Sequence, residues 1–281
     1  MKPWFLMIAL LALAGCERKV ETSIAQAKLH VASLAEIAAS DVNEVRRGLP
    51  AGATQLESLY AEGKDPAADL QSAQVALNKA RSKEADLRVA KSTFFALVDT
   101  NGRVVRSDRE LDDLAGKDFW GAFPGVKSGV NGQYVEARGE LAEAAGVRGR
   151  RDGQWVASVG IKAGDKVAGY YVTGWSWASY AYRLEFNLRD RVQSEVLAKG
   201  PPAKMPLLYV YVVVGDAAHG APVSPDVNAK VILEQNPLQK AQGEAVFAAP
   251  LEIEGRDFGL TVRRVPELGS DVAIAVLRSE T

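Results

Sequence analysis

Across 281 residues the chain has one cysteine, two histidines and three methionines. A single thiol closes no intramolecular disulfide, so stability must come from burial alone. Cys16, His30 and His219 are too few soft or imidazole donors for a convincing zinc-type centre, so neither a metal nor a cofactor is expected. A formal charge of −1, with 34 basic residues against 35 acidic, gives none of the basic excess that nucleic-acid binding demands. Long hydrophobic runs are missing too. The apolar stretch from Trp4 to Ala14 is too short to span roughly 30 Å of hydrocarbon, and no second stretch reaches membrane length. With no membrane exit and no output domain before Thr281, any signal is expected to leave through another protein.

What is there begins with Lys2, the short apolar run and Leu13-Ala14-Gly15-Cys16. A charged start and an apolar stretch closed by small residues predict a signal peptide over residues 1–15. Leu-Ala-Gly-Cys resembles the bacterial lipobox. That resemblance implies cleavage before Cys16, diacylation of its sulfur and a mature lipoprotein of the cell envelope, facing the periplasm or the surface. Two or more acyl chains hold a protein at a membrane essentially permanently, because each buried CH₂ contributes about 0.8 kcal/mol. Which membrane carries the anchor is left open, since Glu17 is not decisive.

From Val20 to about Arg47, apolar residues recur at helical spacing (Ile24, Ala27, Val31, Leu34, Ile37, Ala38, Val42, Val45), and Gly48-Leu49-Pro50 is expected to stop the helix. It serves as a spacer from the membrane, whether it lies on its own sheet or pairs as a coiled coil. Thr54 suits the cap of a short helix, and Asp65-Pro66 the start of another through about Ala90. The period then changes: Phe94 to Val98 predicts a buried strand, Asp99-Thr100-Asn101-Gly102 a turn, and Arg103 to Arg106 the returning strand. One or two helical turns are expected over Asp108 to Leu114. Strands are expected at Gln154 to Ile161 and Lys166 to Trp175, with mostly loop between Gly125 and Asp152. Ser176 to Leu197 is helical until Gly200-Pro201-Pro202. Then follow a strand at Leu207 to Val214, a helix at Pro225 to Glu234, and strands near 245–253, 258–265 and 272–277. Helices set in front of antiparallel strands predict an α+β chain: long N-terminal helices followed by two PAS-like antiparallel sheet modules. The expected divisions are 1–15 signal peptide, 16–91 lipid-anchored helical region, 92–198 first module and 199–281 a second, smaller one.

The run Phe94 to Asp108, after a long helix and before Asp113-Leu114-Ala115-Gly116-Lys117-Asp118-Phe119, resembles Cache sensor domains, the extracytoplasmic PAS-like domains of bacterial receptors. The resemblance covers about residues 20–198 and implies a ligand-sensing fold. It departs from the family in carrying a lipid anchor in place of flanking transmembrane helices, and in lacking the amino-acid-binding signature of the double-Cache receptors.

Trp120, Trp155, Trp175 and Trp177 all fall in one segment, with Phe119, Phe123, Tyr134, Tyr170 and Tyr171. A mostly apolar pocket with a few polar groups suits a modest organic ligand. The candidate lining is Phe119, Trp120, Tyr134, Trp155, Ser158, Tyr171, Thr173 and Trp175, with Arg151 nearby. Taken singly, most of these rings fit equally in a core under the helices, so the expectation is of a pocket rather than of a role for each residue. Arg106 and Arg109 could pair with an anionic ligand but, at a helix start, are expected to be solvated, and so is His30. Gly174-Trp175-Ser176-Trp177-Ala178 nearly matches a hydrolase elbow, with Asp216 and His219 following in order. Ser176 serves equally as a helix cap, and the parallel sheet of that fold is absent from the pattern. Asp99, Asn101 and Asp108 partly resemble a calcium loop, but Gly102 stands at the wrong step for one.

The expectation is therefore a non-enzymatic, lipid-anchored sensor or small-molecule-binding protein acting through a membrane or periplasmic partner. The alternative is an assembly lipoprotein whose PAS-like modules bind proteins, and a serine hydrolase comes third.

Overall fold

The computed structural model describes residues 4–62, 64–129, 131–144, 153–243 and 245–281, with side chains from residue 19 onward along the first helix. Cys16 and Arg151, named above for lipid attachment and for the pocket, lie outside the described side chains.

Helix α1 runs Trp4–Leu56. Its buried stripe, Ala27, Val31, Leu34, Ala38, Val42, Val45, Leu49, Ala53 and Leu56, is the sequence's helical period carried two turns past the expected stop. Gly48 and Gly52 are not breakers here but contact points. A Cβ on Gly48 would fall 2.8 Å from the Leu87 side chain, and one on Gly52 2.8 Å from the Tyr171 ring. Pro50 stays inside the helix. Its cost of about 3 kcal/mol is offset by burying Leu49 and Leu56 at roughly 2–3 kcal/mol each. Thr54 does not cap a new helix; its hydroxyl donates to the Pro50 carbonyl inside α1.

Helix α2 (Leu70–Lys83) starts later than expected. Asp69 caps it, accepting the Ser72 N–H at 3.0 Å, while Asp65 closes a separate turn on Ala67. A short helix α3 (Ala85–Val89) follows. Strands β1 (Phe94–Val98) and β2 (Val104–Ser107) flank the expected turn, where Gly102 takes φ +85°. The helical turns expected over 108–114 are absent. Asp112 draws in the Ser107 N–H and hydroxyl at 3.1 and 2.6 Å and the Arg106 guanidinium at 2.8 Å, which folds this stretch into bends instead. Arg106 is therefore engaged, not solvated. Arg109 is engaged as well, on Asp113 and the Glu143 and Ala144 carbonyls.

A short helix α4 (Phe119–Ala122), strand β3 (Val135–Gly139), and strands β4 (Gln154–Ala163) and β5 (Lys166–Ser176) complete the first sheet. Its order is β2-β1-β5-β4-β3, antiparallel throughout. Strand β3 lies in the stretch expected to be loop; as an edge strand of half-buried residues it carries little hydrophobic signal.

Helix α5 (Trp177–Lys199) ends at Gly200, as its sequence predicts. Then come β6 (Leu207–Val214), β7 (Ala217–Gly220), α6 (Asp226–Glu234), α7 (Pro237–Lys240), β8 (Phe247–Ile253), β9 (Arg256–Arg264) and β10 (Val272–Ser279). The second sheet is ordered β7-β6-β10-β9-β8, again antiparallel. Numbered within its own module, each sheet has the order 2-1-5-4-3. The chain is α+β with two PAS/Cache-like modules.

Two compact units emerge: Ser40–Ser179, called here the first module, and Met1–Ala39 with Tyr180–Thr281, the second. Helix α1 thus supplies residues to both. In the second, α1 seats tightly on β9. A Cβ on Gly259 would fall 2.5 Å from the Ile24 backbone nitrogen, and Thr261 donates to the Ala27 carbonyl at 3.0 Å.

Candidate functional site

Alternation along the strands divides the first sheet into two faces, and the expected pocket residues divide with it. Phe94, Ala96 and Val98 on β1, Val156 on β4, and Tyr170 and Val172 on β5 face one side, where Leu114, Phe119, Phe123, Val126 and Ala144 cover them. Ser158 is paired with Val172 and shares that face. Tyr171 faces the other side, against Gly52 of α1 and the ring of Phe95 at 5.7 Å. Arg81 of α2 lies over that Phe95 ring at 4.9 Å. Thr173 and Trp175 follow Tyr171 by alternation, with Trp155 paired opposite Trp175.

Of the expected residues, Phe119 and Trp120 pack on the loop-covered face, and Ser158 shares that face by strand register. Tyr134, Trp155, Tyr171, Thr173 and Trp175 belong to the helix-covered face. The indoles of Trp155 and Trp175 stack at 4.3 Å and 21°. Thr173 donates its hydroxyl to the Phe94 carbonyl at 2.6 Å. The Tyr134 hydroxyl donates to Glu136, whose carboxylate also takes Arg46 of α1 at 2.7 and 3.1 Å. Burial, and then the neighbouring Glu136 carboxylate, push the Tyr134 phenol well above its ordinary range, so it stays protonated, donating to Glu136 while its oxygen can accept from Arg46. Tyr171 is raised in the same direction, chiefly by burial.

The loop-covered face is the candidate site. Phe119 lies 4.7 Å from Phe123 and 6.4 Å, edge-on, from Phe94; Trp120 meets Tyr170 edge-on at 5.7 Å. Positions are set by the turn beneath. The Gly102 carbonyl accepts from both Phe119 and Trp120 N–H groups, and a Cβ on Gly102 would overlap the indole. Asp118 caps α4 by accepting the Gly121 N–H at 2.8 Å. Phe94, Phe123 and Tyr170 complete this wall and extend it beyond the expected lining. The alternation in Phe94 to Val98 is the signal for Phe94, but nothing in the sequence says which face the loops cover. Trp120 is the half-buried member, the ring through which a molecule outside would meet this wall.

Ser176 is fully buried, and its hydroxyl accepts the Ser179 N–H at 3.2 Å, the capping bond available to it at the start of α5. Asp99 accepts the Asn101 and Arg103 N–H groups at 2.9 and 2.8 Å, so its carboxylate serves the hairpin turn. Among the described residues no cluster of three metal-ligating side chains occurs, and no helix is long and apolar enough to cross a membrane. An open depression of about 680 Å³ lies beside α2, lined by Gln55, Gln71, Val75, Lys79 and Lys83 among others, and shares no residue with the expected set.

His30 is not solvated. It is buried on α1, and Arg278 of β10 donates to its Nε2 at 2.7 Å. An arginine only donates, so the imidazole is neutral and carries its proton on Nδ1. Burial first, then Arg278 and Arg191, depress its pKa from 6.5 to about 4.

The sequence matches no protein-family profile, and no curated protein matches it. Solved structures do match in fold. A domain of a protein described as sensory box/GGDEF from Vibrio parahaemolyticus superposes with a TM-score of 0.57 at 10% identity, over 94% of this chain and 98% of that one. The extracellular domain of a protein described as the histidine kinase vpHK1S-Z8 gives a TM-score of 0.57 at 11% identity, over 94% and 93%. That of rpHK1S-Z16, described likewise, gives 0.52 at 14% over 96% and 97%. At these identities the likeness is one of fold, and the chain has the two-module fold of these sensory-protein domains.

Proposed function

We propose that this protein is an extracytoplasmic sensor, held at a membrane by acylated Cys16, that takes a small organic ligand at the first module and passes its bound state to a membrane partner. The observation that carries the reading is the repeated 2-1-5-4-3 sheet on one long helix, coextensive with extracellular domains described as belonging to histidine kinases. In this reading the lipobox-like Leu13-Ala14-Gly15-Cys16 supplies the membrane attachment. The site has no catalytic constellation in this reading. Its aromatic wall of Phe94, Phe119, Trp120 and Tyr170, with Ser158 on the same face, offers apolar contact and a few polar groups. Differential affinity for two arrangements of the loops around Phe119 and Trp120 would drive the response.

Native mass spectrometry of the full chain, purified from its own envelope, tests this. A small molecule released on denaturation from wild type, and lost in Trp120→Ala, is expected; the bare chain mass in both contradicts the reading.

One observation favours a second reading. Phe94, Phe119 and Phe123 are almost wholly buried against one another, as in a filled core. A protein-binding assembly lipoprotein would use such modules as rigid scaffolds, and co-purification of one stoichiometric protein with an empty first module would support it.

A further inference from the structure

The N-terminal part of α1 is fastened to the second sheet by a short series of contacts. Glu280 N–H donates to Ser23 at 3.2 Å, Thr261 donates to the Ala27 carbonyl, and Arg278 donates to His30. Gly259 lets the helix backbone come down onto the strand. The last contact differs in kind from the others, because it joins two nitrogen bases, both buried, and holds only while one of them is uncharged. The charged groups facing the imidazole are Arg278 from β10 and Arg191 from α5, both cationic; Arg191 itself donates to Ser33 on α1 at 2.8 Å. Glu280 is engaged by Arg278 through its Nε at 2.7 Å.

We propose that His30 is an acid-sensitive latch: neutral, it keeps the α1 segment from Ser23 to Val31 seated on β9 and β10, and protonated, it releases that segment from the second module. A proton on Nε2 would abolish the acceptor, place two cations at hydrogen-bond distance away from water, and leave Arg278 Nη1 without its acceptor. Released, the ring returns to solvent and to its ordinary affinity for protons.

The sign follows from linkage. The docked imidazole titrates near 4 and the free one near 6.5, so the released state binds more protons between those values. The docked-to-released ratio therefore falls as pH falls from about 6.5 to about 4, by up to about tenfold per pH unit and about 300-fold in all, and is flat on either side. The device would make the helix next to the membrane responsive to acid without touching the first module's ligand site, and it does not depend on that site's having a ligand.

Hydrogen exchange of the full chain at pH 7.5, 6.5, 5.5 and 4.5, corrected for the intrinsic pH dependence of exchange, tests it. In wild type the peptide covering 23–31 is expected to lose at least tenfold in protection between pH 6.5 and 4.5, while peptides of β1 and β5 hold theirs. In His30→Gln, whose amide oxygen still accepts from Arg278 and does not titrate, protection of 23–31 should be independent of pH. Arg278→Met, which removes the facing cation, should give a shallower dependence than wild type. The same pH dependence in wild type and both variants, or none in wild type, overturns the proposal.

Discussion

Trp155 and Trp175 stack face to face on adjacent antiparallel strands, their rings 4.3 Å apart and both almost wholly buried. Both stand among the expected pocket residues, yet they share the sheet face of Tyr171, the one against α1 and α2. Trp175→Ala should therefore cost about 3–5 kcal/mol of stability, as removal of a core aromatic does. Urea unfolding of the full chain measures it, and any ligand-induced rise in the melting midpoint should survive the substitution.

Trp120 should behave in the opposite way. Half-buried over Gly102 and edge-on to Tyr170, it borders the candidate site from the loop side. Trp120→Ala is expected to abolish ligand-induced stabilisation while costing less stability than Trp175→Ala.

Gly102 is held at φ +85°, and the Trp120 side chain occupies the space a Cβ there would need. Gly102→Ala meets both the left-handed penalty of about 1–2 kcal/mol and a displaced indole. The expected result is a lower denaturant midpoint together with a shifted tryptophan emission, since Trp120 must move.

Gly259 tests the seat of α1 independently of His30. The Ile24 backbone, which cannot give way, lies 2.5 Å from where a methyl group on Gly259 would stand. Gly259→Ala should lower protection of residues 23–31 at every pH, whereas the latch acts only in acid. Loss of protection confined to low pH would contradict this placement.

Asp112 predicts part of the acid limb of the first module's stability. Burial alone would raise its pKa, but hydrogen bonds from Ser107 and Arg106 outweigh that and hold the carboxyl below its ordinary value. A depressed carboxyl contributes stability above its unfolded pKa and loses it as pH falls through that value toward the folded one. Asp112→Asn should therefore be less stable than wild type at neutral pH, and the gap should close as pH falls below about 4, as urea midpoints across pH would record.

Where side-chain period alone decides, the fold is legible from the residues. Phe94 to Val98, Gln154 to Ile161, Leu207 to Val214 and the stop at Gly200 all stand where alternation, helical spacing and breakers put them. Pro50 misleads, because the penalty for a proline inside a helix is set by the chain while the gain from Leu49 and Leu56 is set by what packs on them. Strand β3 and the short β7 escape a reading by pattern because edge strands carry weak hydrophobic signals. For the candidate site, the aromatic segment is legible but its division is not. Alternation places Tyr171, Thr173 and Trp175 together and Tyr170 and Val172 opposite, yet only the three-dimensional fold says which side meets α1 and which meets the loops. His30 reads as solvated from its own helix because its partners lie at Arg278 and Arg191, far along the chain.

The most direct test of the sensor reading is the thermal melting midpoint of the full chain against a panel of amino acids, carboxylates, amines and nucleosides. A ligand present at a hundredfold excess over its Kd should stabilise the protein by about 2.7 kcal/mol and raise the midpoint visibly, and one such chemical class is expected to do so. A midpoint unmoved by every class would contradict the sensor reading and favour the protein-binding scaffold.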